Sequence, residues 1–317
     1  MATLTAPTTP ASVASDDTTT VPAPLSASTS TISRADLLFA VLLAGASSLV
    51  MFDAWRDIWR LGTHSEELSY VLLAPIVIAW IAWSRAARIR ECRPRGQWLG
   101  LLILLAGYGV YWYGFLADPV LWRAGAVMAC VGAVVAALGT EVLRKFLPAF
   151  AASLFLVPIS PTGRYNIAEP LQRATATATQ TVCDLLGIYV DRTGNLLTIN
   201  DVDVTVAEAC NGMRMVLTLF LVCYLVAFTV PLRRWVRVLL LAVSPLVAIV
   251  SNVVRLVPTV WLFGHSSPET ANRFHDVSGW GMTVLSFLLL MGGCTLLQRA
   301  TTDDDKKPAE KPAPASA

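Results

Sequence analysis

Charged residues in this chain collect in short clusters between apolar runs, and that arrangement constrains the fold before any other feature. A helix crossing the hydrocarbon core of a bilayer needs about 20 apolar residues, fewer where its flanks snorkel to the interface. Eight runs qualify, near Leu37 to Phe52, Leu68 to Trp83, Trp98 to Leu116, Ala124 to Gly139, Phe146 to Ile159, Met213 to Val230, Val236 to Phe263 and Gly279 to Leu297. Of the 317 residues, 55% are hydrophobic and 15% charged, whereas soluble domains carry about a quarter charged residues. The expected fold is an all-α polytopic membrane protein with about eight transmembrane helices.

Orientation follows from the basic residues, because short cytoplasmic loops hold Lys and Arg in excess. Arg85, Arg88, Arg90, Arg93 and Arg95 lie between runs two and three, Arg144 and Lys145 between four and five, and Arg233, Arg234 and Arg237 between six and seven. All three clusters share one side only if the short fifth run also crosses. Both termini are then cytoplasmic. Asp53 to Glu67, Ala117 to Arg123, Ser160 to Gly212 and Gly264 to Ser278 become the outer connections. The first thirty residues are rich in Thr, Ala, Ser and Pro and contain no Lys or Arg, so residues 1–34 read as a disordered tail, as do residues 299–317. Residues 35–298 form the membrane domain.

The long outer connection has structure of its own. Ile167, Leu171, Ala178, Val182 and Leu185 recur at helical spacing and predict an amphipathic helix on the extracytoplasmic surface. "LLTIN" and the alternating Val202, Val204 and Val206, with turn signals at "RTGN" and "ND", predict a small hairpin before helix six.

A net charge of +2 gives no reason to expect nucleic acid. The six cysteines show no CxxC and no Cys/His pairing at metal-ligand spacing, so neither a metal nor a cofactor is expected. Cys210, in "EACNGMR", stands apart from the rest. It precedes the sixth run, where helix amides carry partial positive charge, and Arg214 follows one turn later; both favour a thiolate. Gly212 allows close approach of a peptide backbone. A buried structural cysteine and a disulfide to Cys183 are the competing readings.

In the seventh run, "SNVVRLVP" places Asn252 three residues before Arg255, roughly 28 Å along the helix from Val236. An arginine inside a span is costly and usually faces a polar partner or cavity. The alternative is snorkelling to the outer headgroups. His275, in "FHDVSGWG", falls in the last outer connection, where an imidazole can serve as base and acid near neutral pH. His64 and His265 are outside too, so position alone does not select it. Thiol, guanidinium and imidazole together are the parts of an acyl-transfer site: nucleophile, oxyanion partner and proton shuttle.

"EACNGMR", "NVVRL" and the His275 stretch with Gly279 resemble the exosortase/archaeosortase family of membrane transpeptidases, as do the "PISP" turn at Pro158 to Pro161 and the "LLGIYVDRTGN" passage. The resemblance implies a catalytic set of Cys210, Arg255 and His275, with Arg214, Asn211, Gly212 and Asn252 binding substrate. Asn211 stands where the family more often has serine. Ser69 and Tyr70 stand before the second run without the Tyr-Ser-His-Gly of many members. The implied substrates are secreted proteins bearing a C-terminal transmembrane sorting signal, cleaved on the extracytoplasmic face of a bacterial inner membrane. The implied acceptor is a membrane lipid or surface glycan. Two other classes also accommodate the layout: a transporter, and a non-catalytic component of exopolysaccharide assembly.

Overall fold

The computed structural model describes residues 31–206 and 212–304. Cys210 and Asn211 therefore lie outside the described residues. Helix α1, Arg34–Val50, opens on a capping box in which Ser33 Oγ accepts from Asp36 N at 3.2 Å and the Asp36 carboxylate accepts from Ser33 N at 2.8 Å. It turns through 81° into α2, Phe52–His64. Then come α3 (Tyr70–Ser84), α4 (Gln97–Ala117) and α5 (Pro119–Leu138). Asp118 starts α5 by accepting from Val120 N at 2.7 Å, with Pro119 in the first turn where its missing N–H costs nothing.

The fifth apolar run gives only a short helical stretch, Leu147–Leu156. The short α6 (Thr140–Lys145) precedes it; within Phe146 to Ile159 the run forms α7 (Leu147–Ala152), with Pro148 in the first turn, and a 3₁₀ turn, Ser153–Leu156. After α8 (Pro161–Leu185) and a small sheet come α9 (Gly212–Thr229), α10 (Arg234–His265) and α11 (Pro268–Asp304). Among the described residues four helices are long and apolar enough to cross a membrane: α4, α5, α10 and the Pro268–Leu296 part of α11. The bent pair α1 and α2 makes a fifth if counted as one span. Tyr70–Ser84, Leu147–Leu156 and Arg214–Thr229 are apolar but shorter, so length and composition alone give fewer spans than the eight expected. A 15-residue helix such as α3 covers only about 22 Å of a core about 30 Å thick.

Side-chain contacts sort the connections into two groups. At one end Arg123 pairs with Asp57 at 2.7 Å, Arg164 with Glu67 at 2.6 Å, and Asn200 Nδ2 donates to Gly264 O at 3.1 Å. At the other, Arg93 N donates to Glu141 at 2.9 Å, and Arg85 donates to the carbonyls of Lys145 and Phe228 at 3.3 and 3.1 Å. None of these contacts joins the two groups.

The expected amphipathic stretch from Ile167 lies within α8, which begins at Ser160 with an Oγ accepting from Gly163 N at 3.0 Å. The expected hairpin has three strands: β1 (Asp191–Thr193), β2 (Leu196–Ile199) and β3 (Val202–Thr205), antiparallel in chain order. Both turns use two residues in left-handed conformations or led by one: Gly194 at φ +68°, and Asn200 and Asp201 at φ 48° and 61°. "RTGN" thus closes a hairpin of its own. Leu197, Ile199, Val204 and Val206 pack with Ala176 and Cys183 of α8 and with Leu256 and Val260 of α10. This cap grips the last turns of α10. Its Cys183 is a buried free thiol, with no disulfide among the described residues.

Candidate functional site

Helix α10 carries a buried polar row through an otherwise apolar segment: Ser244, Ser251, Asn252, Arg255 and Thr259. Pro245 cannot donate to Leu241 O, and Ser244 Oγ does so instead at 3.0 Å. Near the cap, Thr259 Oγ1 donates to Arg255 O at 2.8 Å beside Pro258. The guanidinium of Arg255 donates from Nη2 to Asn252 Oδ1 at 3.0 Å, the i, i+3 geometry set by the helix. Only 5% of Arg255 is exposed, so it turns into the protein and does not extend along the surface to headgroups. A desolvated guanidinium is costly, and polar neighbours such as Asn252 offset part of that cost.

What it faces is α11. A Cβ built on Gly279 would stand 2.7 Å from Arg255 Nη1, so only a glycine leaves room for the guanidinium at that spot. His275 precedes Gly279 by one helical turn and shares its face. The expected placement of His275 in a connection is corrected: α11 begins at Pro268, behind Ser267, whose Oγ accepts from Thr270 N at 3.4 Å, and His275 lies inside the helix. The imidazole is largely covered, its side chain 15% exposed, and Nδ1 lies 3.2 Å from Asp276 Oδ1. Asp276 is open to solvent, so the pair is screened and orients the ring more than it stabilises it. One contact deeper, Ser286 Oγ donates to Ser251 Oγ at 2.5 Å and ties α11 to α10.

The structure therefore brings Arg255 and the His275 face of α11 together, at the end of the bundle that holds Asn200 and Gly264. It also separates the three histidines. His64 Nδ1 lies 3.0 Å from Arg60 O, and His265 stacks on Trp261 with centroids 4.9 Å apart; both are exposed and bound within their own helices. Gly212 is the first residue of α9, and Arg214 is half-buried in its first turn. Burial pushes the Cys183 thiol above its ordinary range, with Asp184 adding to the effect, which leaves it a poor nucleophile. Among the described residues no group of His, Cys, Asp and Glu could hold a metal ion.

Sequence reasoning noted Gly279 as part of a pattern and missed its physical role as the seat of the guanidinium. The Ser251–Ser286 clamp was missed too. The available signal was a glycine one turn after a histidine and small polar residues in register on two apolar helices.

The protein-family model described as Transmembrane exosortase (Exosortase_EpsH) matches residues 55–292. No curated protein matches, and no solved structure matches.

Proposed function

We propose the following reaction from one premise: this chain belongs to the transmembrane exosortase family. Membership, together with the long apolar helices, makes it an integral membrane protein and supports a membrane transpeptidase or protease role in general. The finer reading is a cysteine transpeptidase acting on secreted proteins with a C-terminal transmembrane sorting signal. The substrate's helix lies against the enzyme in the bilayer, and binding energy from that helix fixes the scissile peptide at the reacting groups.

Cys210 sulfur attacks the peptide carbonyl carbon after its proton passes to His275, and the electron pair of the C=O moves to oxygen. The tetrahedral oxyanion is held by Arg255, a term worth about 3 to 4 kcal/mol of barrier for a well-placed donor. When the C–N bond breaks, the proton on His275 goes to the departing amine and an acyl thioester remains on Cys210. An amine or hydroxyl of a lipid or surface glycan, or water, then attacks the thioester and restores the thiol. Asn252 holds one edge of the guanidinium. Arg214, Asn211 and Gly212 line the approach of the substrate backbone.

The observation that carries this reading is the buried Arg255 lodged against the His275 and Gly279 face of α11. Val206 supports it: it is packed with Leu256 and Val260 of α10, four residues before Cys210. Gly212, two residues after Cys210, belongs to α9, and two residues span about 7 Å at most. The two groups of contacts and the basic clusters support eight crossings, with the site on the extracytoplasmic face and both described ends of the chain cytoplasmic.

The test is a substrate-derived thioester on Cys210, trapped, released by hydroxylamine and identified by mass spectrometry. Cleavage of a sorting-signal substrate at the wild-type rate by Cys210→Ala overturns the proposal. The polar row on α10 also suits a transport pathway; transport of a solute that survives Cys210→Ala and fails in Arg255→Gln would favour that reading.

A further inference from the structure

The exposed apolar row of α10 is interrupted near the Arg255 end. Val250, Val254 and Trp261 share one face of this span and are 55%, 56% and 43% exposed; in a membrane such a row meets lipid. Val257 falls on the same row, seven residues after Val250, yet it is half-buried. It packs against the cluster that Cys183, Val190 and the small sheet form with Leu256 and Val260. The cap therefore reaches beyond the interior of the bundle and overlaps the lipid side of α10. At 1.5 Å per residue Val257 stands about 32 Å along the helix from Val236, at the edge of a hydrocarbon core about 30 Å thick.

What the cap places there is an apolar turn. Between the buried Cys183 and Val190, Leu185, Leu186 and Tyr189 are 82%, 63% and 85% exposed, while Ile188 packs against the same cluster as Val257. The turn follows a polar surface: Arg173, Thr177, Thr181 and Asp184 succeed one another along the exposed face of α8. Its backbone is satisfied from within. Gly187, at φ +74°, donates its N–H to Asp184 O at 3.1 Å, and Ile188 N donates to Cys183 O at 2.9 Å, a Schellman closure of α8. Leu186 N donates to Val182 O at 3.1 Å, and Val190 O accepts from Gln180 Nε2 at 3.3 Å. Amides that need nothing from water can leave it without cost. Tyrosine is also a residue of the boundary between core and headgroups, where its ring lies in the apolar layer and its hydroxyl in the wet one.

We infer that the turn from Leu185 to Tyr189 is a lipid anchor, inserted into the leaflet at the Arg255 end of the bundle, where it holds the cap against the membrane. The occupant of this surface is lipid because the turn continues the lipid side of α10, at the depth where that side ends. The anchor goes beyond the acyl-transfer reading and stands without it.

Photocrosslinking of the full chain in phosphatidylcholine nanodiscs tests this. Tyr189→p-benzoylphenylalanine, irradiated, should be recovered as an adduct of one phospholipid, seen in the intact mass and localised by digestion to the turn. Thr177→p-benzoylphenylalanine, on the polar face of α8, should give about tenfold less adduct, since headgroup-level insertion is confined to the apolar side chains. Equal yields at the two positions, no lipid adduct at position 189, or adducts of that position with a second copy of the chain in place of lipid overturn the anchor. Should the variant at 189 fail to fold, Leu186→p-benzoylphenylalanine decides by the same comparison with Thr177→p-benzoylphenylalanine.

Discussion

Glycine is used in two ways in this molecule, and the α4–α5 pair and the α10–α11 pair show the difference. On α4, Gly100, Gly107 and Gly114 repeat every seventh residue, and a Cβ on any of them would stand 2.0 to 2.5 Å from a backbone nitrogen of α5. Gly125 and Gly132 of α5 return the contact against Tyr111 N and Leu104 N at 2.3 Å. The two backbones meet directly, as small residues allow when lipid supplies no hydrophobic drive for association. In α10–α11 the missing Cβ of Gly279 meets a side chain instead, the guanidinium of Arg255. The first set of glycines makes a rigid wall. The second makes room for a buried guanidinium.

The largest effect that would break this contrast is at Arg255. Arg255→Gln should lower turnover of a sorting-signal substrate about 10² to 10³-fold, the size expected for a lost oxyanion donor. Normal turnover would reduce Gly279 to another packing glycine. Next, Gly132→Ala should destabilise the fold by about 1 to 3 kcal/mol through overpacking, read in thermal unfolding, while activity per folded molecule is kept. Gly279→Ala should do the reverse. Its methyl displaces the flexible tip of Arg255, so turnover falls roughly tenfold, equivalent to about 1.4 kcal/mol, while thermal stability stays within about 0.5 kcal/mol. Combined with Arg255→Gln it should add nothing further, a non-additivity expected only of groups that act together. The smallest effect concerns Cys183. Its pKa is raised, so thiolate appears only at higher pH than in an exposed cysteine, and alkylation should pass it by at pH 8 until the protein is unfolded.

Much of this was legible from residue order. The apolar runs each became helical, and two of the clusters that the charge rule put on one side meet where Arg85 donates to Lys145 O, with Phe228 O alongside. Arg255 was visible as an expensive residue in an apolar run. Its burial was not visible, because a helix pattern does not say whether an arginine near a span end reaches out to headgroups or folds inward. The tightening of the fifth run into a 3₁₀ turn over Ser153–Leu156 was hidden for a similar reason: hydropathy sums over a window and is blind to the pitch of the helix. The third strand was hidden in a three-residue segment with two exposed side chains, too short for alternation to register.

Sequence alone determined that the chain belongs in lipid, which end of each run carries the basic residues, and which side chains are chemically out of place there, since those properties depend on composition and local order. Tertiary structure decided that Arg255 turns toward α11, that His275 and not His64 or His265 shares its neighbourhood, and that Gly279 supplies the space. Those outcomes depend on which helix faces meet, and two helices with the same apolar pattern can meet in many rotations; the shape of small residues at the contact selects one.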